Sequence, residues 1–224
     1  MKSNDLIFSP VKCEHDFIRL GKENDGGYVM LDNSFGSSVI LGYGVSDDCS
    51  FENDVTEHFG ISGYIFDHTV EGPPQNMNSS KITFVKEGIS DTDNEENLKS
   101  LEYHMNKYAK DQDVILKMDV EGAEWKSLKN ADLSKVTQLV IEMHNMENPD
   151  WDIIKKLNER FYLVNIHGNN HSPLITLNDK TFPQVIECTW VRKDLIKDPI
   201  EYKEINPLNQ KCSRNSDELV FELV

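Results

Sequence analysis

From residue 39 to residue 192 the chain alternates short apolar runs with polar stretches that suit helices. The β-rich runs at 39–45, 61–66, 81–89, 114–118, 137–143, 161–166 and 185–192 have the length and composition of strands covered on both faces. Between them, residues 50–58, 94–109, 125–128 and 150–160 have helical character. In the second of these stretches Leu98, Leu101, Met105 and Tyr108 recur at helical spacing, a stripe for core packing. Ahead of the first run, Asn24-Asp25-Gly26-Gly27 permits a tight turn into the apolar stretch Tyr28-Val29-Met30-Leu31.

Such alternation predicts a three-layer α/β fold with a mostly parallel central sheet and an antiparallel last strand. A length of 224 residues suits one domain with a substantial core. We therefore read 1–224 as a single domain, with an N-terminal extension to about residue 35. From about residue 193, prolines and mixed polar residues predict an irregular tail that packs on the surface or on a second copy of the chain, as in a homo-oligomer.

The ends of the strands carry the candidate chemistry. The run 114–118 stops in Asp119-Val120-Glu121-Gly122-Ala123-Glu124, and in open α/β sheets ligands bind at the carboxyl ends of strands. Asp119 and Glu121 are thus site candidates, although acids there also suit the start of a helix. Gly42-Tyr43-Gly44-Val45 follows the first strand and precedes a helix, so the backbone can approach a ligand closely. Asp67 ends the second strand, one helix and one strand later, where an acid can accept both hydroxyls of a ribose. Lys86, Glu87 and Gly88 end the third. Period-two alternation sets Glu142 and His144 on one side of the fifth, so Asp119, Glu142 and His144 should meet at adjacent strand tips. His167, Asn169 and Asn170 suit a substrate mouth or a solvated loop equally well.

The stretch Leu116-Lys117-Met118-Asp119-Val120-Glu121-Gly122-Ala123-Glu124 resembles the central signature of the FkbM-like methyltransferases, and the resemblance extends from about Arg19 to about Arg192. It implies a Rossmann-like class I methyltransferase fold, S-adenosylmethionine as cofactor, and O-methylation of a hydroxyl on a sugar, a glycan or another small molecule. It also implies that Asp25, Gly26, Gly27 and Tyr28 line the cofactor pocket. The full cofactor set is then Asp25, Gly26, Gly27, Tyr28, Gly42, Tyr43, Gly44, Val45, Asp67, His68, Glu87, Gly88 and Asp119.

Methyl transfer to an alcohol needs a base or a metal to activate the oxygen. Asp119, Glu121 and His144 are the catalytic candidates, with His144 the neutral-pH base by type. Alternatively Asp119, Glu142 and His144 hold Mg²⁺ or Mn²⁺, since oxygen ligands with one imidazole suit hard ions.

A formal net charge of −16 argues against nucleic-acid or anionic-membrane partners and leaves a small-molecule or sugar acceptor. In Asn148-Pro149-Asp150-Trp151 we read a helix start rather than a base-methylation motif. The four scattered cysteines indicate reduced thiols, and no run approaches the roughly 18 apolar residues of a membrane span, so the expected location is cytoplasmic. Two rival readings share the fold: a nicotinamide-dependent oxidoreductase, and a non-catalytic nucleotide-binding domain. Against the oxidoreductase, Asp47 stands where a dinucleotide fingerprint has its third glycine.

Overall fold

The computed structural model describes residues 7–93 and 96–224. Seven strands form the central sheet: β1 (Val39–Tyr43), β2 (Ser62–Phe66), β3 (Ile82–Val85), β4 (Val114–Met118), β5 (Val136–Met143), β6 (Phe161–Gly168) and β7 (Ile186–Arg192). Their spatial order is β6-β7-β5-β4-β1-β2-β3. Strands β1 to β5 run parallel, whereas β7 is antiparallel to both β5 and β6. This is the mostly parallel sheet with an antiparallel last strand of a class I methyltransferase fold. Every residue of β1, β4 and β5 is buried, which accounts for their near-continuous apolar composition.

One face of the sheet packs on α2 (Leu101–His104), the π-helical turn Met105–Ala109, α3 (Glu124–Leu128) and α4 (Trp151–Arg160) through Leu101, Met105, Leu128, Ile153, Ile154 and Leu157. The other face is covered by α1 (Ser50–Phe59) and by an antiparallel hairpin, Phe17–Gly21 with Gly27–Leu31. Buried Gln138 and Thr189 hold that hairpin: the Gln138 side chain accepts from Leu31 N and donates to the Leu31 carbonyl, and the Thr189 hydroxyl donates to the Val29 carbonyl. Backbone groups with no ladder partner on this face thus find side chains, as buried polar groups require.

Several expected elements differ. The run 81–89 splits into β3 and a separate strand, Gly88–Ser90, which pairs with Leu98–Ser100. The helix expected over 94–109 starts only at Leu101, because Ser100 caps it by accepting from Tyr103 N, and Asn94 and Glu95 lie outside the described residues. A further hairpin, Leu174–Leu177 with Lys180–Pro183, turns on Asn178 and Asp179, both at positive φ. The tail lacks long elements but is not merely superficial, since Asn206, Cys212 and Ser213 are buried.

Candidate active site

A cavity of about 520 Å³ opens at the carboxyl ends of β1, β2 and β4. Residues from both sides of the sheet line it, among them Tyr28 of the hairpin, Gly44 and Val45 after β1, Glu52 of α1, Asp67 and His68 after β2, and Asp119 after β4. Of the expected cofactor residues, Asp25, Gly26, Tyr28, Tyr43, Gly44, Val45, Asp67, His68, Gly88 and Asp119 line this cavity.

Gly27, Gly42 and Glu87 are not among the lining residues. The Gly27 carbonyl instead accepts from Arg19. At Gly42 a Cβ would stand 2.4 Å from Glu52 Oε1, so the glycine makes room for that carboxyl group rather than for a ligand. Glu87 turns away to His104 Nε2 at 3.1 Å and to Lys107 at 3.6 Å.

Gly44 is required on two grounds. Its φ of +74° lies in the left-handed region, and a Cβ there would fall 1.6 Å from the Asp119 carbonyl oxygen. Lys117, buried beneath this turn, donates to the Gly44 carbonyl at 3.0 Å and approaches Asp119 Oδ2 at 3.9 Å. Asp119 Oδ2 also accepts from the Tyr28 hydroxyl at 3.0 Å. Hairpin, GxG turn and β4 tip are therefore tied into one unit.

Asp67 stands at the expected strand end, but its carboxylate is already engaged. Oδ2 accepts from Ser46 N at 2.9 Å, and Oδ1 accepts from the Thr69 N–H and hydroxyl at 2.8 and 2.6 Å. Burial alone would raise its pKa, yet these bonds outweigh it and hold the carboxyl below its ordinary value. Three of the roughly four acceptor sites of a carboxylate are occupied, so a grip on two ribose hydroxyls requires Thr69 to yield one.

The acidic stretch after β4 folds around His144. Glu121 has φ +55° and Gly122 φ +101°, two successive left-handed residues that reverse the chain, and for Glu121 this costs about 1 kcal/mol or more. The reversal brings Glu124, fully buried, under the ring: its Oε1 meets Val120 N and His144 Nδ1, each at 3.0 Å. Trp125 Nε1 donates to the His144 carbonyl at 2.8 Å. On the other side His144 Nε2 lies 3.3 Å from Glu142 Oε1 and 3.4 Å from Glu121 Oε2. Burial would lower the pKa of His144, but the hydrogen bonds and charges of Glu124 and Glu142 overcome this and raise it to about 10. Burial, together with Asp119 and Glu187, raises Glu142 against the pull of His144.

Asp119, Glu142 and His144 do meet: one ligand atom from each lies within 4.8 Å of the others. Glu142 Oε1 also accepts from Asn169 Nδ2 at 3.0 Å. Across the sheet Glu142 faces Glu187 and Glu187 faces His167, so the polar row continues to β6. His167 and Asn170 serve the tail rather than an open mouth, His167 pairing with Glu187 and Glu218 and Asn170 bonding Ser213 and Ser216.

Sequence reasoning missed Glu52, Lys117, Glu124 and Trp125 as parts of this assembly. The reading against an oxidoreductase also takes a Tyr-x-x-x-Lys pair to be absent, and this is corrected: Tyr103 and Lys107 have that spacing, with Nζ and hydroxyl 3.2 Å apart. Neither residue lines the cavity, so the pair does not revive the oxidoreductase reading. Asp150 caps α4 by accepting from Asp152 N, as expected of a helix start. No helix among the described residues is long and apolar enough to cross a membrane.

The family model of the methyltransferase FkbM domain matches residues 19–168 of the 224. No curated protein and no solved structure matches the chain.

Proposed function

The chain belongs to the FkbM-domain methyltransferases, and from that premise we propose that it transfers the methyl group of S-adenosylmethionine to a hydroxyl oxygen of a small molecule such as a sugar. The observation that carries this reading is Asp119, which both lines the cavity walled by Gly44 and Asp67 and belongs to the polar cluster with Glu142 and His144, two residues that do not themselves line it.

Transfer from a sulfonium is an in-line displacement, so the protein's main task is to align donor and acceptor and to exclude water. Asp67 is assigned to the ribose and the GxG turn to the methionine end. Asp119 and Glu142 are assigned to the acceptor hydroxyl, taking its hydrogen bond and then its proton. His144 is less suited to be the base than its type suggests. Both ring nitrogens meet carboxylates, Nδ1 to Glu124 and Nε2 to Glu142, so both act as donors and the ring is an imidazolium. In this role it holds the acids in place and offsets their charge. Glu121, exposed and 3.4 Å from His144, supplements that cluster.

A second reading is favoured by the donor set. Two carboxylates and one imidazole whose other nitrogen is held by a buried carboxylate fit a divalent Mg²⁺ or Mn²⁺. Asp119, Glu142 and His144 Nε2 would be its ligands, and such an ion would lower the pKa of a bound hydroxyl.

The test is calorimetry with S-adenosylmethionine and NAD, followed by methyl transfer from labelled cofactor to a panel of polyols, sugars and amines. Saturable binding of S-adenosylmethionine with label transferred to oxygen supports the reading. Binding of NAD alone, or label found only on nitrogen, would overturn it.

A further inference from the structure

One oxygen of the Glu52 carboxyl group, Oε1, is left without a hydrogen-bond partner among the described residues. Glu52 is the third residue of α1 and only 1% exposed, and it lines the cavity. A buried acceptor left unpaired is costly, and native structures rarely keep one without a reason. The surroundings do not supply the missing donor. Lys117 directs its ammonium to the Gly44 and Tyr43 carbonyls and toward Asp119. Gly42 is what leaves room for the carboxyl group, since a Cβ there would strike it.

The geometry points to Glu52 as the anchor for the ammonium group of the amino-acid end of the methyl donor. This rests on the cofactor reading above and adds to it the residue that recognises one charged end. The ligand offers two cationic centres, a sulfonium and a primary ammonium, and only the ammonium carries N–H donors that can satisfy an orphan oxygen. A metal ion fits poorly, because a single carboxylate beside the Lys117 charge lacks the oxygen set a hard ion needs. Burial raises the pKa of Glu52, against a lowering influence from Lys117. Burial thus shifts Glu52 toward the neutral acid, and an ammonium beside it would shift it back toward the carboxylate. Asp67 and Glu52 then divide the ligand between them: Asp67 serves the ribose and Glu52 the amino acid.

The test compares two probes on the full chain by calorimetry. S-adenosylhomocysteine carries the amino-acid end, and 5′-methylthioadenosine lacks it. For the wild type, the first should bind more tightly. Glu52→Gln, nearly isosteric, should weaken S-adenosylhomocysteine on the order of 10–100-fold, the loss of one charge-assisted hydrogen bond, and leave methylthioadenosine within about twofold. Retained methylthioadenosine binding also shows that the variant is folded. Equal loss of both probes, or no loss of either, would overturn the assignment of Glu52 while leaving the cofactor reading intact. A wild type that binds neither probe would overturn the cofactor reading, and the inference with it.

Discussion

Glu124 Oε1 sits 3.0 Å from His144 Nδ1 and 3.0 Å from the Val120 amide, so the last acid of the acidic stretch fixes both its own turn and the ring on the neighbouring strand. A residue that would pass for a helix-start acid is thereby a positioning residue for the cluster. Replacing Glu124 with Gln should lower turnover about 10–100-fold, the usual effect of losing a carboxylate behind a functional imidazole. Cofactor affinity should hold, and the His144 ring should titrate lower than in the wild type, read by its carbon and nitrogen shifts. An unshifted titration would show that Glu124 is not what holds the ring charged.

The two glycines of the GxG turn should behave differently. Gly44→Ala drives a methyl group into the Asp119 backbone at a positive φ, so neither partner can yield, and loss of the folded state is the expected outcome. Gly42→Ala meets only the flexible end of Glu52, so the fold should survive with a modestly lowered melting temperature while cofactor binding weakens. Equal melting temperatures for the two variants would contradict this account.

The sheet was legible in the sequence because strands buried on both faces must be apolar throughout, and each such run stops where the chain surfaces. Asp67, Asp119, Glu142 and His144 were legible for the same reason, as charge at the end of a buried strand. Glu52 was not: an acid in the first turn of a helix is ordinary, and only the missing Cβ of Gly42 opposite shows that it points inward. The polar residues inside β5 and β7, Gln138 and Thr189, give no local cue, because what they satisfy is a hairpin more than 100 residues distant. Asn178-Asp179 did carry a readable two-residue turn signal, and the hairpin it closes could have been found.

Asp67→Asn should act on the adenosine half of the ligand. It weakens the acceptor of Ser46 N and of Thr69, and any ribose bond with them. Affinity for S-adenosylhomocysteine and for methylthioadenosine should fall together, on the order of 10-fold or more. A loss confined to S-adenosylhomocysteine would mean that Asp67 does not face the ribose.

Stability should depend on pH through His167. The ring is 1% exposed and lies 2.7 Å from both Glu187 and Glu218, and their bonds outweigh burial to raise its pKa. Folded His167 therefore holds its proton above the ordinary value near 6.5. Its stabilising contribution is complete below that value and is lost as pH rises through the raised folded pKa. His167→Gln should flatten the decline in melting temperature on the alkaline side, and at a pH below the ordinary histidine value it should cost about 3–5 kcal/mol by leaving buried Glu187 without its cation. The tail should loosen with it, read as faster amide exchange over residues 211–218, which Glu218 ties to the ring.

Whether a metal ion serves the cluster is decided by how chelation and substitution combine. Asp119, Glu142 and His144 present one ligand atom each within a 4.8 Å group, so one divalent ion could draw on all three at once. In that case chelators should silence the enzyme and Mg²⁺ or Mn²⁺ should restore it. Asp119→Asn and His144→Ala should then be about equally damaging, since each removes a ligand. Without a metal, activity should survive chelation, and the acids carry the proton chemistry. Glu142→Gln should then lose about 10²–10⁴-fold in turnover, the range for a general base. His144→Ala should lose less in turnover but raise the cofactor-independent cost of folding, because Glu124 and Glu142 remain buried without the ring between them. Near-normal turnover in Asp119→Asn, Glu142→Gln and His144→Ala alike would remove the cluster from the reaction altogether.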